Sequence, residues 1–250
     1  MFIDAHLHVG MFLDIKSLTE CASKYQIFPI AVATTLKESS ALLKTLDSLN
    51  LKLPVFVGIH PWYLAQEQFD ETLMENLLKD KRVVGIGECG LDGKIATPLS
   101  CQLTVLEQHL EFAKYYQKPV NLHIRSCHGQ LTKALKKYQG FLSGMIHNTT
   151  FSYEVCKNYL DLGFKLSFGH HILFNQDKLN QVLKRVGLDN IVLETDFDYV
   201  HTGLYDPSLI IKEYEYLSAI SSCELSKLQE QLCTNVSNLI GTLNEFNLYC

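Results

Sequence analysis

Eight strand-length apolar runs recur along the chain, and a helical pattern follows each one. The runs are FIDAHLHV from Phe2, IFPIAVAT from Ile27, PVFVGIH from Pro54, RVVGIGE from Arg82, PVNLHI from Pro119, SGMIHN from Ser143, FKLSFG from Phe164 and NIVLET from Asn190. They are rich in Val, Ile and Phe without strict alternation, the pattern of strands buried on both faces of a parallel sheet. Between them, apolar residues recur at three- and four-residue intervals over 15–25, 37–49, 70–79, 99–116, 130–138, 153–160, 176–186 and 207–219, which predicts amphipathic helices. Strand–helix alternation repeated eight times predicts an α/β fold of the (β/α)8 TIM-barrel type; a doubly wound open sheet is the alternative. No composition break or low-complexity stretch divides the sequence, so residues 1–250 are expected to form a single domain, with an extra C-terminal helix over 224–241 packed outside.

Composition sets the remaining bounds. Apolar residues make up 47% of the 250 and charged residues 20%, enough to build a packed core. No run reaches the roughly eighteen apolar residues of a membrane span, so none is expected. The N-terminus lacks a basic stretch followed by an apolar one, so a cytoplasmic location is expected. The eight cysteines form no CxxC and no zinc-finger spacing, the usage of reduced, mostly buried thiols; Cys89 and Cys127 lie beside candidate site residues. The net charge is −5, and no basic stripe marks a sequence-independent nucleic-acid binder. The densest basic cluster, Lys133, Lys136 and Lys137, fits the solvated face of a helix.

The histidines carry the chemical signal. His6 and His8 end the first run, His60 the third, His123 the fifth and His147 the sixth; His128, His170, His171 and His201 fall just after runs five, seven and eight, and only His109 sits inside a helical pattern. One histidine at a strand end is an ordinary structural residue, but nine of ten at strand ends or the following loops is different. That face of a barrel carries the active site, and neutral imidazole is the commonest metal ligand. Carboxylates complete the set: Glu88 ends VVGIGE and Asp196 ends the LETD segment of the eighth run. Glu194 and Asp4, each two residues from a candidate ligand, would support a ligand or bond within the barrel. His6, His8, Glu88, His123, His147 and Asp196 exceed the three protein ligands of one catalytic zinc. Two divalent metal ions sharing a carboxylate suit them better, about 3.5–4 Å apart and able to activate water and clamp both oxygens of a displacement. Imidazole and carboxylate together suit Zn, Mn or Fe, and Mg can serve through availability.

The chain resembles the TatD-type metal-dependent hydrolases of the amidohydrolase superfamily along nearly its whole length. The motifs are DAHLH at 4–8, GIHPW at 58–62, GIGECGLD at 85–92, PVNLHIR at 119–125, IH at 146–147, LETD at 193–196 and TNVSNLIG at 234–241. The resemblance implies that His6, His8 and Asp196 hold one metal and His123 and His147 the second, with Glu88 bridging. It implies that Asp196 is also the general base, acting with Glu88 as the catalytic pair, and that His60, Arg125 and His128 face substrate. The planar fork of Arg125 would take a phosphate or carboxylate in two hydrogen bonds, or else form an ion pair at the barrel rim. Asp92 would orient a loop or a ligand. The chain departs from the family pattern at NTTFS, 148–152, at Phe197-Asp198 and in the loop YVHTGLYDPS, which lacks the usual basic residues.

The activity implied is that of a metal-dependent deoxyribonuclease acting at DNA or oligonucleotide ends, where two dications would let an acidic protein handle an anionic substrate. A two-metal hydrolase of a small ester, lactone or amide is the alternative, since one fold and metal pair host many chemistries. A metal-binding protein with a decayed site is a third reading, but no ligand is missing.

Overall fold

The computed structural model describes residues 1–174, 176–198 and 204–246. Eight parallel strands run in consecutive order: β1 (Phe2–Leu7), β2 (Ile27–Val32), β3 (Val55–Val57), β4 (Val83–Asp92), β5 (Val120–Arg125), β6 (Gly144–Ile146), β7 (Phe164–Phe168) and β8 (Ile191–Leu193). The sheet closes on itself just past the ends of β1 and β8. Asp196 N–H donates to the His6 carbonyl and His8 N–H to the Phe197 carbonyl, each at 3.0 Å. Deeper in the same seam, the Asp4 carboxylate accepts from the Thr195 backbone N–H at 2.9 Å and from its hydroxyl at 2.7 Å. A doubly wound sheet would keep two free edges; this one is a TIM barrel.

Among the described residues nine α-helices cover the barrel: α1 (Ile15–Lys24), α2 (Leu36–Ser48), α3 (Glu71–Leu78), α4 (Leu99–Tyr116), α5 (His128–Lys136), α6 (Tyr153–Leu160), α7 (Gln176–Val186), α8 (Pro207–Ser221) and α9 (Leu225–Ile240). Side chains start several of them. Asp14, Thr35 and Asp70 accept hydrogen bonds from the backbone N–H of Ser17, Glu38 and Leu73, which would otherwise lack partners. The extra helix, α9, is stapled to the outside of the barrel by Asn235, whose amide donates to the Leu188 and Ile191 carbonyls at 2.7 Å each. Tyr214 of α8 joins its hydroxyl to the backbone N–H of Ile3 at 3.0 Å. No helix among the described residues is long and apolar enough to cross a membrane.

Every residue of β2 and β4 is buried, as the continuous apolar runs predict for strands covered on both faces. β4 differs from expectation in length. It does not end at Glu88 but continues to Asp92, through a register irregularity against β5 between Ile86 and Cys89. Its glycines are packing devices, not a stop. A side chain at Gly90, where φ is +151°, would come within 2.0 Å of the His123 carbonyl oxygen, so glycine lets β4 lie flat against β5. α5 also starts earlier than the periodicity suggests, at His128, which opens the helix instead of lying in the preceding loop. His147 and Asp196 lie just past the ends of β6 and β8, and His60 lies three residues past β3.

Candidate metal centre

All six predicted ligands converge at the C-terminal mouth of the barrel. Glu88 is the hub, and its two oxygens face different partners. Oε2 lies 3.3 Å from His6 Nε2 and 3.5 Å from His8 Nε2. Oε1 lies 2.9 Å from His147 Nε2 and 3.0 Å from His123 Nδ1. Asp196 closes the first set, with Oδ1 at 3.6 Å from His6 Nε2 and 3.4 Å from His8 Nε2. Its backbone sits in the left-handed region at φ 53°, which Asp tolerates better than most residues, and the turn is tied to His6 as described above.

The outward nitrogen of each ring shows which way the inward one faces. His8 Nδ1 is 2.9 Å from the Val32 carbonyl, which only accepts, so Nδ1 carries the hydrogen and Nε2 a lone pair. His123 turns Nε2 toward Asp92 Oδ2 at 3.6 Å, and His147 turns Nδ1 toward Glu194 Oε1 at 3.4 Å. His6 Nδ1 meets the side-chain amide of Asn121, nitrogen to nitrogen at 3.2 Å, while the Asn121 oxygen is buried without a partner. Half a turn of that amide would satisfy both groups and leave the His6 Nε2 lone pair facing inward. Outward acceptors of this kind fix the tautomer that a metal needs.

The donor set therefore fits a metal. His6 Nε2 and His8 Nε2 face each other at 3.4 Å, as do His123 Nδ1 and His147 Nε2 at 3.0 Å. Inward lone pairs this close repel one another unless a cation or a proton lies between them. The triads His6–His147–Asp196 and His6–His8–Glu88 each bring three donor atoms within 4.8 Å of one another. Without a metal the cluster holds protons instead. Burial alone would make His8 less basic, but its hydrogen bond to Asp196 and the Glu88 charge raise it to about 9. Burial also lowers His147, yet Glu88 and Glu194 bring it well above the ordinary imidazole range. Conversely, the surrounding imidazoles hold Glu88 and Asp196 ionised against the opposing effect of burial.

His60 is the exception among the rings. It lies inside the cluster, with Nε2 at 3.2 Å from Glu88 Oε1, so it is closer to the hub than a purely substrate-facing role requires. Its Nδ1 accepts the backbone N–H of Trp62 at 3.1 Å. The hydrogen of the neutral ring is then on Nε2, aimed at Glu88. Burial pushes this imidazole down to about 4, so it stays neutral. His60 is thus poised as a hydrogen-bond donor.

Two cavities open over the ligands and share Trp62, His123, His147 and Asp196. One, of about 330 Å³, adds His8, Met11, Thr34, His60, Tyr63 and Asp198. The other, of about 530 Å³, adds Arg125, Ser126, His128, Asn148, Phe151 and His171. A larger cavity of about 590 Å³ runs along α6 and α7 and contains none of the six ligands. Arg125 is exposed and has no ion pair among the described residues, so it is not spent on the barrel rim. His128 bonds through Nδ1 to the Tyr159 hydroxyl at 3.0 Å. His170 lines the first cavity, whereas His201 lies outside the described residues. His109 is satisfied structurally, with Nε2 accepting from Ile59 N–H at 3.0 Å and Nδ1 at 2.7 Å from the Val105 carbonyl. Burial raises the Cys89 and Cys127 thiols, so neither is a ready nucleophile.

The model of a family described as TatD related DNase matches residues 3–241. The chain belongs to that family. An uncharacterized metal-dependent hydrolase of Haemophilus influenzae is 29% identical over 213 residues, 78% of this chain and 80% of that protein. The uncharacterized metal-dependent hydrolase YcfH of Escherichia coli is 26% identical over 253 residues, 95% of this chain and 94% of its own. Among solved structures, the TatD homologue YjjV of Escherichia coli superposes with a TM-score of 0.82 at 23% identity, covering 96% of this chain and 98% of that one. A TatD-family hydrolase of Entamoeba histolytica gives 0.80 at 20% identity, covering 96% and 98%. These two structural likenesses speak for the shared barrel.

Three residues of this TatD-family site escape a reading of the sequence. Asn148, the first residue of the departure NTTFS, donates its side-chain N–H to Asp196 Oδ2 at 3.1 Å and its backbone N–H to Glu194 Oε1 at 2.6 Å. Asn121 stands two before His123 on one strand, so period two already places it on the ligand side. Trp62 donates its indole N–H to Asp92 at 2.7 Å, a pairing that sequence spacing does not reveal. Of the two candidate supporting carboxylates, Glu194 reaches His147 and Asn148, whereas Asp4 is taken up by Thr195 within the barrel.

Proposed function

We propose that this TatD-family protein is a two-metal phosphodiesterase that releases nucleotides from the 3′ ends of DNA or short oligonucleotides. The observation that carries the reading is the division of Glu88 between two histidine sets. His6, His8 and Asp196 would hold one divalent ion, His123 and His147 the other, and Glu88 both. The ions, Zn, Mn or Mg, would neutralise the phosphate and acidify the attacking water.

The protein's own groups then have separate tasks. Asp196 is ionised, and Asn148 fixes its Oδ2, so it is oriented to accept the proton of the attacking water as general base. Glu88, also ionised, holds the two halves of the site in register. His60 directs its Nε2–H into the cluster, where an oxygen of the substrate phosphate could accept it. Arg125, exposed and without an ion pair among the described residues, lines the 530 Å³ cavity, and its guanidinium suits a second phosphate of the chain. His128 borders the same space. The family description, TatD related DNase, supports the substrate class.

A small ester, lactone or amide substrate is the second reading. It is favoured by the smaller cavity, where Asp198 beside Met11 and Tyr63 would repel a further phosphate. The deciding assay follows nucleotide release from a 3′-labelled oligonucleotide with Mg²⁺ or Mn²⁺, comparing wild type with Glu88→Ala. Release by the wild type and not by the variant supports the nuclease. No release with any of Mg²⁺, Mn²⁺ or Zn²⁺ overturns it and leaves the small-substrate reading.

A further inference from the structure

Trp62 is the single tryptophan of the chain, and it is 45% exposed. A single exposed apolar side chain is ordinary on a protein surface; the place of this one is not. Among the large exposed apolar side chains of the described residues it alone borders both cavities over the candidate metal ligands. It is also held still. Its backbone belongs to the short helical turn Pro61–Tyr63, its backbone N–H is given to His60, and its indole N–H is given to Asp92 at 2.7 Å. Asp92 is buried and faces His123. The ring stands edge-to-face to His60 with centroids 5.0 Å apart and lies 6.4 Å from the His123 ring. The indole is thus anchored at its polar atom, packed on one side against the cluster, and open on the other.

A rigid, half-open aromatic face next to a centre for phosphate chemistry matches one kind of ligand group. Planar heterocycles stack on such a face at little entropic cost, because the platform is already ordered. Stacking of this kind tolerates every base, since all have a π-face. Arg125, which lines the 530 Å³ cavity together with Trp62, would meet the anionic part of the same molecule. We infer that Trp62 is a stacking platform that recognises the nucleobase next to the scissile phosphate, and so makes the enzyme require a base at the end it trims. This inference rests on the nuclease reading above.

The test uses metal-loaded protein and two probes, thymidine 5′-monophosphate and 2-deoxyribose 5-phosphate, which differ only by the base. Trp62 fluorescence reports binding in the wild type and calorimetry in the variants. Trp62→Leu is expected to weaken the nucleotide by about tenfold or more and to leave the sugar phosphate within about twofold, with metal content unchanged. Trp62→Phe, which keeps an aromatic face but loses the tie to Asp92, should recover part of the difference. On oligonucleotides, KM for a base-bearing 3′ end should rise in Trp62→Leu while KM for an abasic end stays put. Equal loss for both probes, or loss of metal, would make Trp62 a structural residue only. Nucleotide release with no dependence on the terminal base overturns the platform and spares the nuclease. Absence of release by the wild type overturns both.

Discussion

Trp62 N–H donates to Nδ1 of His60, and that bond runs opposite to those made by the other rings of the cluster. His6, His8, His123 and His147 each have an acceptor, or an amide able to present one, on the outward nitrogen. His60 has a donor there instead. A neutral imidazole cannot keep that bond and also offer the Nε2 lone pair to a metal.

The first prediction follows from this asymmetry. His60→Ala is expected to keep its full metal complement while losing activity by roughly 10²-fold, the scale of one positioned donor at developing charge. His6→Ala and His147→Ala should each weaken a different ion. Metal analysis after dialysis separates these outcomes. Loss of metal in His60→Ala would place His60 among the ligands, and equal loss of both ions in His6→Ala and His147→Ala would indicate one merged site.

Asp196→Asn tests the proton acceptor. The amide keeps the shape of the side chain but cannot take a proton, so turnover should drop by about 10²–10⁴-fold. Asn148→Ala, which leaves Asp196 Oδ2 without its donor, should cause a smaller loss and shift the acidic limb of the pH–rate profile upward. A pH profile identical to wild type would mean that Asn148 does not tune this carboxylate.

Glu194 and Asp92 act on metal affinity through His147 and His123. Glu194→Gln and Asp92→Asn are each expected to weaken metal binding by about 10–100-fold. Competition with a calibrated chelator measures this directly. An unchanged affinity would show that the rings are oriented by packing alone.

The metal-free protein should lose stability as the solution becomes alkaline. His8 in the folded chain is raised from the ordinary 6.5 to about 9, and His147 shifts in the same direction. A raised folded-state value stabilises fully below pH 6.5, and the gain disappears as pH climbs through about 9. The melting temperature of the metal-free form is therefore expected to fall between pH 6.5 and 9. Metal affinity should climb over the same interval, because binding releases these protons. A flat melting curve across this window would contradict the protonated cluster.

Glu213, on α8, is buried and neither carboxylate oxygen has a hydrogen-bond partner among the described residues. Burial, with the charges of Asp4 and Glu194 adding to it, keeps this group protonated far above the usual carboxylate range. Glu213→Leu should stabilise the protein by about 1–3 kcal/mol at pH 7, the cost of a buried polar group left unsatisfied. Thermal or urea unfolding would record it. A destabilised variant would point to a contact made by the carboxyl that packing does not replace.

The cluster of candidate ligands was legible because its signal is local. A strand has a period of two, strand ends gather at one mouth, and those two rules alone place His6, His8, His123, His147 and Asp196 together. The barrel was legible for a similar reason, since eight repeats of one pattern leave few other folds. What stayed hidden depends on contacts between distant segments. GIGECG looks like the end of a strand, yet the glycines serve the close approach of β4 to β5, and only the partner strand shows this. Asn148 departs from the family pattern in the sequence, and only the fold brings its amide to Asp196. The indole of Trp62, in the turn Pro61–Tyr63, and the carboxylate of Asp92, at the end of β4, meet from segments 30 positions apart.

Asp4 and Thr195 bond across 191 positions of the chain, and His6 and Asp196 meet beside them. The first and last strands thus build one wall of the centre between them. During synthesis His6 and His8 leave the ribosome long before Asp196, so a growing chain presents this wall without its carboxylate. The complete site is the last part of the barrel to come into being. A chain truncated before β8 keeps His6, His8, Glu88, His123 and His147 but lacks Asp196 and the seam that closes the barrel, so the wall around His6 and His8 is finished only with the last strand.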